Sequence, residues 1–347
     1  MADQFLHSVD HVDLFAQNSE AQQRKCQHGL VVKEQSGFFW VELADGTVYM
    51  CRLRGRLMEE AQSSDIAAIG DRVQISILEQ DESGLKGVIE AVEERHSALS
   101  RAARTEGQRG AGEAEREQVI IANADLIFFV FAAAQPTPNM RMLDRFLVVG
   151  EKSGVDQLAI VVNKIDLEDP TNIHSLFKPY QDIGYTVLYT SARDGQGVDD
   201  LRSLLTGKIS AFAGPSGVGK TSLLNLLQPG LGRQVKQVSN YHEEGQHTTR
   251  DSALIKLVGD DYGSNTYLAD TPGIRYLSIY DVEPTELDAY FVDIAPYVSE
   301  CRFGDCTHTN EPGCAVRKAV AHGEIHKGRY HSYLKLRAEL EEAFAIY

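Results

Sequence analysis

Eight consecutive residues carry the clearest chemistry. Gly214, Pro215, Ser216, Gly217, Val218, Gly219, Lys220 and Thr221 fit the phosphate-binding pattern G-x-x-x-x-G-K-[ST], and Ser222 opens the segment that follows. Glycines in such a loop let backbone N–H groups turn inward around phosphate oxygens; the lysine neutralises the β and γ phosphates, and the threonine hydroxyl can ligate Mg2+. The context agrees, because an apolar strand-like run at residues 209–213 precedes the loop and a helical pattern at residues 222–227 follows it.

A phosphate loop alone does not choose between ATP and GTP. Asn163, Lys164, Ile165 and Asp166 follow a buried-strand pattern at residues 158–162 and resemble the N-K-x-D motif of GTPases. An aspartate there can accept from both the guanine N1–H and its exocyclic amine, a donor pair that adenine lacks. Asn163 would meet the other edge of the base, the Lys164 stem would pack over its face, and Ser191-Ala192 looks like the S-A-x loop whose backbone N–H meets the guanine oxygen.

Asp270-Thr271-Pro272-Gly273 resembles D-x-x-G, in which Asp270 would hold Mg2+ through water and the Gly273 N–H would sense the γ-phosphate. Between this motif and the phosphate loop, residues 245–251 form a polar segment suited to an effector loop. One threonine there should close over Mg2+, and Thr249 is favoured over Thr248. Ras-like enzymes carry a water-positioning Gln after D-x-x-G, but Ile274 stands there and has no group to orient water. His247 is the best substitute for this catalytic work; the alternative is that it caps or packs the loop.

Cys301, Cys306, His308 and Cys314 place three potential thiolates and an imidazole within fourteen residues. Four such ligands make a closed tetrahedral Zn2+ site, structural because no position is left for water. Cys26 and Cys51 stand apart, and an odd cysteine count with clustering suits metal binding in a reducing compartment better than a disulfide framework.

Around these motifs the composition is that of a folded multidomain chain, with 347 residues, 43% hydrophobic and 24% charged. The net charge of −16 argues against nonspecific coating of nucleic acid but leaves room for local basic patches. Two candidates stand out: Arg52, Arg54 and Arg56 alternating along a β-type run, and residues 315–337 with Arg317, Lys318, Lys327, Arg329, Lys335 and Arg337 against Glu324 alone. No uninterrupted apolar stretch of about 18 residues occurs and the first residues lack a basic, then apolar, leader pattern, so a soluble cytoplasmic protein that engages no membrane is expected.

Five short β-type runs at residues 30–33, 38–43, 48–53, 72–78 and 87–92, separated by turn signals, predict a small barrel for which an OB-fold is the commonest answer. Residues 97–118, rich in Arg, Ala, Gly and Glu, read as a mobile linker. Apolar runs alternating with amphipathic segments then predict a doubly wound α/β domain, and a Cys/His cluster with a last helix follows. The apolar side of that helix is read as Tyr330, Tyr333, Leu334, Leu340 and Phe344. The fold class is thus multidomain: an N-terminal all-β OB-fold barrel (29–96), a central α/β P-loop GTPase domain with permuted motifs (119–285) and a small α-helical zinc-binding domain (286–347), after an N-terminal extension (1–28).

The motif order N-K-x-D, S-A-x, phosphate loop, effector loop, D-x-x-G is permuted relative to ordinary GTPases. Permutation leaves strand neighbours intact, and it carries the D-x-x-G segment straight into the C-terminal region. In this order, with the barrel before it, the Gly-Gln-His-Thr-Thr loop, and the Cys/His cluster behind, the chain resembles the circularly permuted GTPases of small ribosomal subunit biogenesis (RsgA, also named YjeQ or YloQ) from about residue 29 onward. The resemblance implies GTP hydrolysis with Mg2+, one structural Zn2+, and binding to the small ribosomal subunit and its 16S rRNA late in assembly, with hydrolysis favouring release. It also implies a hydrophobic residue at Ile274 and a catalytic histidine at His247. A monomer is expected. Two other readings stay open: an RNA-binding adaptor with guanine nucleotide as a slow timer, and a P-loop ATPase or kinase, which Asn163 and Asp166 disfavour.

Overall fold

A computed structural model describes residues 26–55, 57, 65–78, 84–102, 117–231, 252–270 and 282–345. The alternating apolar pattern of the first described region sends every second side chain inward. It forms β1 (Cys26–Gln35), β2 (Phe38–Leu43), β3 (Val48–Leu53), β4 (Arg72–Ile77) and β5 (Lys86–Val92). Their order is β1-β2-β3-β5-β4, with β3 and β5 parallel, and a second pairing from Cys26↔Ser76 to Leu30↔Arg72 shuts β1 against β4. The barrel is closed around Val31, Val41, Cys51, Val73, Ile75 and Ile89. Cys26, Gln27 and His28, expected in the N-terminal extension, belong to it, because their backbone groups complete the ladder along β4.

The linker expectation also changes. β6 (Ala98–Ala102) and β7 (Glu117–Ala122) pair as an antiparallel ribbon in which Leu99 and Ile121 are fully buried. Sequence periodicity missed β6 because Leu99 is the single large apolar residue among small and charged neighbours. Arg104 and Arg109 lie outside the described residues.

The α/β unit comprises β8 (Leu126–Ala132), α1 (Met140–Lys152), β9 (Gln157–Asn163), α2 (Pro170–Asp182), β10 (Thr186–Tyr189), α3 (Val198–Leu205), β11 (Ile209–Ala213), α4 (Lys220–Leu227), β12 (Ser252–Lys256) and β13 (Tyr267–Asp270). The order β10-β9-β8-β11-β13-β12 places β11, which leads into the phosphate loop, between β8 and β13. β8 is buried along its whole length, as a strand covered by helices on both faces must be. β12 is the exception to the parallel arrangement. It runs antiparallel to β13 and also to β1, with Lys33↔Ala253 and Glu34↔Ser252, so barrel and α/β unit share one eleven-stranded sheet, braced by a Lys256–Glu42 ion pair.

Beyond residue 282 lie a 3-10 turn (Leu287–Tyr290), α5 (Ala295–Val298), α6 (Ala315–His322) and α7 (Lys327–Ala345) around Phe291, Ile294, Val316, Tyr333 and Leu336. Phe344, expected on the packed side of α7, is 48% exposed because it lies beyond the last buried contact, Leu340. No helix among the described residues is long and apolar enough to cross a membrane.

Two arginines of the expected basic run are structural. Arg329, 2% exposed, donates to Asp144 Oδ1 of α1 (2.7 Å) and to Asp293 Oδ1 (2.6 Å), and Tyr180 OH donates to the same Asp144 oxygen (2.8 Å). Burial pushes the Asp144 carboxyl upward against the pull of the Arg329 guanidinium. Arg337, also buried, donates to Pro284 O (2.5 Å). Replacing Arg329 by Met leaves two carboxylates buried without their cation, so urea unfolding should show a loss of about 3–5 kcal/mol, whereas Arg329→Lys retains charge without the two-sided fork and falls between.

Candidate nucleotide site and metal centre

The phosphate loop emerges from β11, whose five residues are all buried, and ends at the N-terminus of α4. Two glycines are dictated by space. Gly214 has φ +148° and a Cβ there would overlap Val130 O; Gly219 has φ +95° and a Cβ there would overlap Asn163 Nδ2. Lys220 Nζ donates to Gly214 O and Pro215 O, both at 2.6 Å, which curls the side chain over its own loop. Thr221 is half-buried on the first turn of α4, where the helix dipole and unpaired N–H groups favour an anion.

Asn163 is wholly buried at the end of β9. Its Nδ2 donates to Val218 O in the phosphate loop (2.9 Å), and its Oδ1 accepts from Thr190 Oγ1 (3.2 Å) and the Ala192 N–H (3.1 Å). The side chain therefore ties its own loop to the two others, using one of its two amide N–H groups. Lys164, held at φ +61°, bridges Gly217 O (2.6 Å) and Gln135 O. Asp166, with a side chain 15% exposed, accepts from Ser191 Oγ (3.0 Å) and has Arg193 Nη1 at 3.8 Å.

The Ser191 N–H donates to Gln196 O (3.0 Å) and the Ala192 N–H to Asn163 Oδ1 (3.1 Å). The pair also supplies the Ser191 hydroxyl that orients Asp166 and the amide that orients Asn163. Gln135 and Thr190 complete this network; neither belongs to a recognisable motif, and only the fold brings them in.

Of the expected Mg2+ and switch residues, Asp270 ends β13, which lies between β11 and β12, and pairs with Ala253 of β12. His247, Thr248, Thr249, Gly273 and Ile274 lie outside the described residues, as does Arg56 of the barrel stripe. Within that stripe, Arg52 sits over the Phe38 ring at 4.5 Å and Arg54 pairs with Glu90 at 2.8 Å.

The chain belongs to the RsgA GTPase family. The family model described as RsgA GTPase matches residues 92–280, and the one described as RsgA N-terminal domain matches residues 28–85. A Gemmatimonas aurantiaca protein named small ribosomal subunit biogenesis GTPase RsgA is 41% identical over 90% of this chain and 97% of its own. A Chlorobaculum tepidum protein of the same name is 38% identical over 90% and 98%. The crystal structure of YjeQ from Thermotoga maritima superposes with a TM-score of 0.70 at 34% identity, covering 91% of this chain and 98% of that one. That of YloQ, titled a circularly permuted GTPase, gives 0.68 at 28% identity, covering 93% and 98%. This RsgA-family chain is accordingly a GTP-hydrolysing enzyme with an OB-like barrel and a permuted GTPase domain.

In its C-terminal unit the ligand atoms of Cys301, Cys306, His308 and Cys314 all lie within 4.8 Å of one another. Cys301 Sγ is 3.9 Å from Cys314 Sγ, and His308 Nδ1 is 3.6 Å and 3.4 Å from the two sulfurs. Tetrahedral bonding with M–S distances near 2.3 Å demands edges of about 3.7 Å, so these residues fit a single ion. His308 turns its other nitrogen, Nε2, to Asp288 Oδ2 at 3.0 Å, the carboxylate support typical of a metal-bound imidazole. Asp288 was invisible in the sequence, since it lies twenty residues upstream of His308 without a motif of its own. The Ala315 and Arg317 N–H groups at the start of α6 point at Cys301 Sγ (3.3 Å) and Cys314 Sγ (3.4 Å), where they favour thiolates. Burial works against ionisation of Glu311, but donors from Thr307, Thr309 and Asn310 hold its carboxyl down at about 2, and they staple the loop between His308 and Cys314.

Two measurements check this geometry. Gly219→Ala should displace Asn163 and lower stability by about 1–3 kcal/mol in thermal melts, well beyond the few tenths expected of a glycine with open space around it and no positive φ, such as Gly55. Stripping the metal with a chelator, or Cys314→Ser, should open residues 301–322 to limited proteolysis while the α/β unit stays resistant; an unchanged digestion pattern would show that the ion is not needed for folding.

Proposed function

We propose that this GTPase acts in late maturation of the small (30S) ribosomal subunit, binding the subunit and its 16S rRNA in the GTP state and leaving on hydrolysis. The observation that carries this reading is similarity along whole chains: relatives bearing the name small ribosomal subunit biogenesis GTPase cover 97–98% of their own lengths at 38–41% identity. The reading places the protein in the cytoplasm as a monomer away from membranes, with a barrel at 29–96, a connector at 97–118, the GTPase domain at 119–285 and the zinc domain at 286–347.

For the nucleotide, the reading gives Asp166 the guanine N1–H and amine, Asn163 the opposite edge, Lys164 the ring face, and the loop from Gly214 to Ser222 the phosphates. The support is the Asn163–Val218 hydrogen bond, which sets base and phosphate subsites at a fixed separation. Thr221, Asp270 and Thr249, or Thr248 in its place, would hold Mg2+, which neutralises charge developing on the phosphates. Gly273 reports the γ-phosphate through its N–H, and His247 orients the attacking water. Cys301, Cys306, His308 and Cys314 would hold Zn2+, a closed site whose work is folding.

His247→Ala should leave guanine-nucleotide affinity within about twofold while turnover falls roughly a hundredfold or more; unchanged turnover would remove His247 from the mechanism. Asp166→Asn exchanges an acceptor pair for an amide, and GTP affinity should drop about a hundredfold with no gain for ATP. Turnover measured with and without small subunits tests the biological reading: stimulation supports it, whereas none favours an RNA-binding adaptor for which nucleotide is a slow timer.

A further inference from the structure

Where α1 of the GTPase domain meets α7 of the C-terminal unit, a cleft of about 330 Å3 is lined by Asn139, Arg141, His331, Ser332 and Lys335. We propose that this cleft seats the phosphodiester backbone of structured RNA, with Arg141 from one domain and Lys335 from the other neutralising the same stretch of phosphates. The proposal rests on the ribosomal reading above for the source of the RNA, and it moves the contact from the zinc domain alone to the junction between domains.

The ion pairs at this junction leave cations in excess. Arg141 and Arg145 both pair with Glu339, Arg141 at 3.5 Å, and Lys335 has no carboxylate partner among the described residues. Two arginines thus share one carboxylate and Lys335 has none, within a chain whose net charge is −16. Like charges left converging at a junction oppose folding, so the excess is explained by an anion that meets it. The neutral lining groups suit the same ligand. Asn139 Oδ1 caps α1 by accepting from the Met142 N–H (3.1 Å), which leaves the Asn139 amide nitrogen as a donor at the N-terminal end of a thirteen-residue helix.

The lining also says what the cleft does not take. It has no aliphatic side chain, so it is poor for an apolar ligand, and its one ring, His331, cannot sandwich a base. Recognition therefore falls on the backbone and is independent of sequence. The cleft is rigid for a stated reason. Asp144 stands one turn after Arg141, and Ser332 one turn after Arg329, so the buried Arg329–Asp144 ion pair sets the helices that carry both rims. Arg329 and Arg337, expected on a basic surface, are consumed by such internal contacts; the cleft replaces them with Arg141, which belongs to no basic run in the chain.

The test is binding of purified small ribosomal subunits across a salt series by wild type, Arg141→Gln, Lys335→Gln, the double variant, and Lys178→Gln as a surface control on α2. Each single variant should lower the slope of log affinity against log salt by about 1 and the double variant by about 2, with roughly tenfold weaker binding near 0.15 M salt. The control should match wild type, and thermal midpoints should be equal throughout. A double variant with wild-type affinity and slope overturns the proposal. If wild type itself fails to bind subunits, the ribosomal reading falls separately; a 20-base-pair RNA duplex then serves as probe, and equal binding by wild type and double variant overturns the cleft. Lys335→p-benzoylphenylalanine should photocrosslink to rRNA, and crosslinks confined to ribosomal protein would assign the cleft to an acidic protein segment instead.

Discussion

The buried amide of Asn163 is the constraint around which the nucleotide site is built. A carboxamide wholly removed from water must satisfy its oxygen and nitrogen within the protein, and here the partners come from two separate loops: Val218 after β11, and Thr190 and Ala192 after β10. Each of those loops is thereby held at one distance from the end of β9. Gly219 follows from the same constraint, because the amide lies where any side chain at that position would stand. The phosphate-binding and base-binding motifs, fifty-five residues apart in the chain, become one rigid surface.

Permutation of the chain has consequences at both ends of the α/β unit. On one side, the C-terminal unit follows β13 in the chain, so the Asp270 motif and the Cys/His cluster are successive in sequence. On the other side β12 does something that motif order does not suggest: it joins β1 and extends the barrel sheet into the GTPase sheet. Backbone hydrogen bonding across this seam makes the barrel a continuation of the strand that follows the 232–251 segment, which includes His247. Both flanking units are therefore connected to the nucleotide domain by elements adjacent in sequence to its expected switch motifs.

The junction with the C-terminal unit uses different physics. One guanidinium, fully desolvated, serves Asp144 of α1 and Asp293, with Tyr180 completing the Asp144 shell. Such a network adds little net stability over an apolar core, but it tolerates only one arrangement of the two units. That geometric selectivity is what gives a meaning to side chains on the two rims of the junction.

Read alone, the sequence determined the local chemistry. Phosphate loop, N-K-x-D, D-x-x-G and the Cys/His cluster are contiguous patterns whose residue types follow from what they bind, and the strands of both β units were legible because burial on one face or two leaves a periodic mark. What only the tertiary structure decided are the pairings between distant residues. Asp288 behind His308, Gln135 beside Lys164, the turning inward of the Ser191 and Ala192 amides, and the seam between β1 and β12 each depend on a backbone approach with no local signature. The same holds for charge: Arg329 and Lys335 are six residues apart in one helix and indistinguishable in composition, yet one is buried between carboxylates and the other is exposed at a cleft. A sequence states that a cation is present, whereas its surroundings, and so its energy, are set by whatever packs against it.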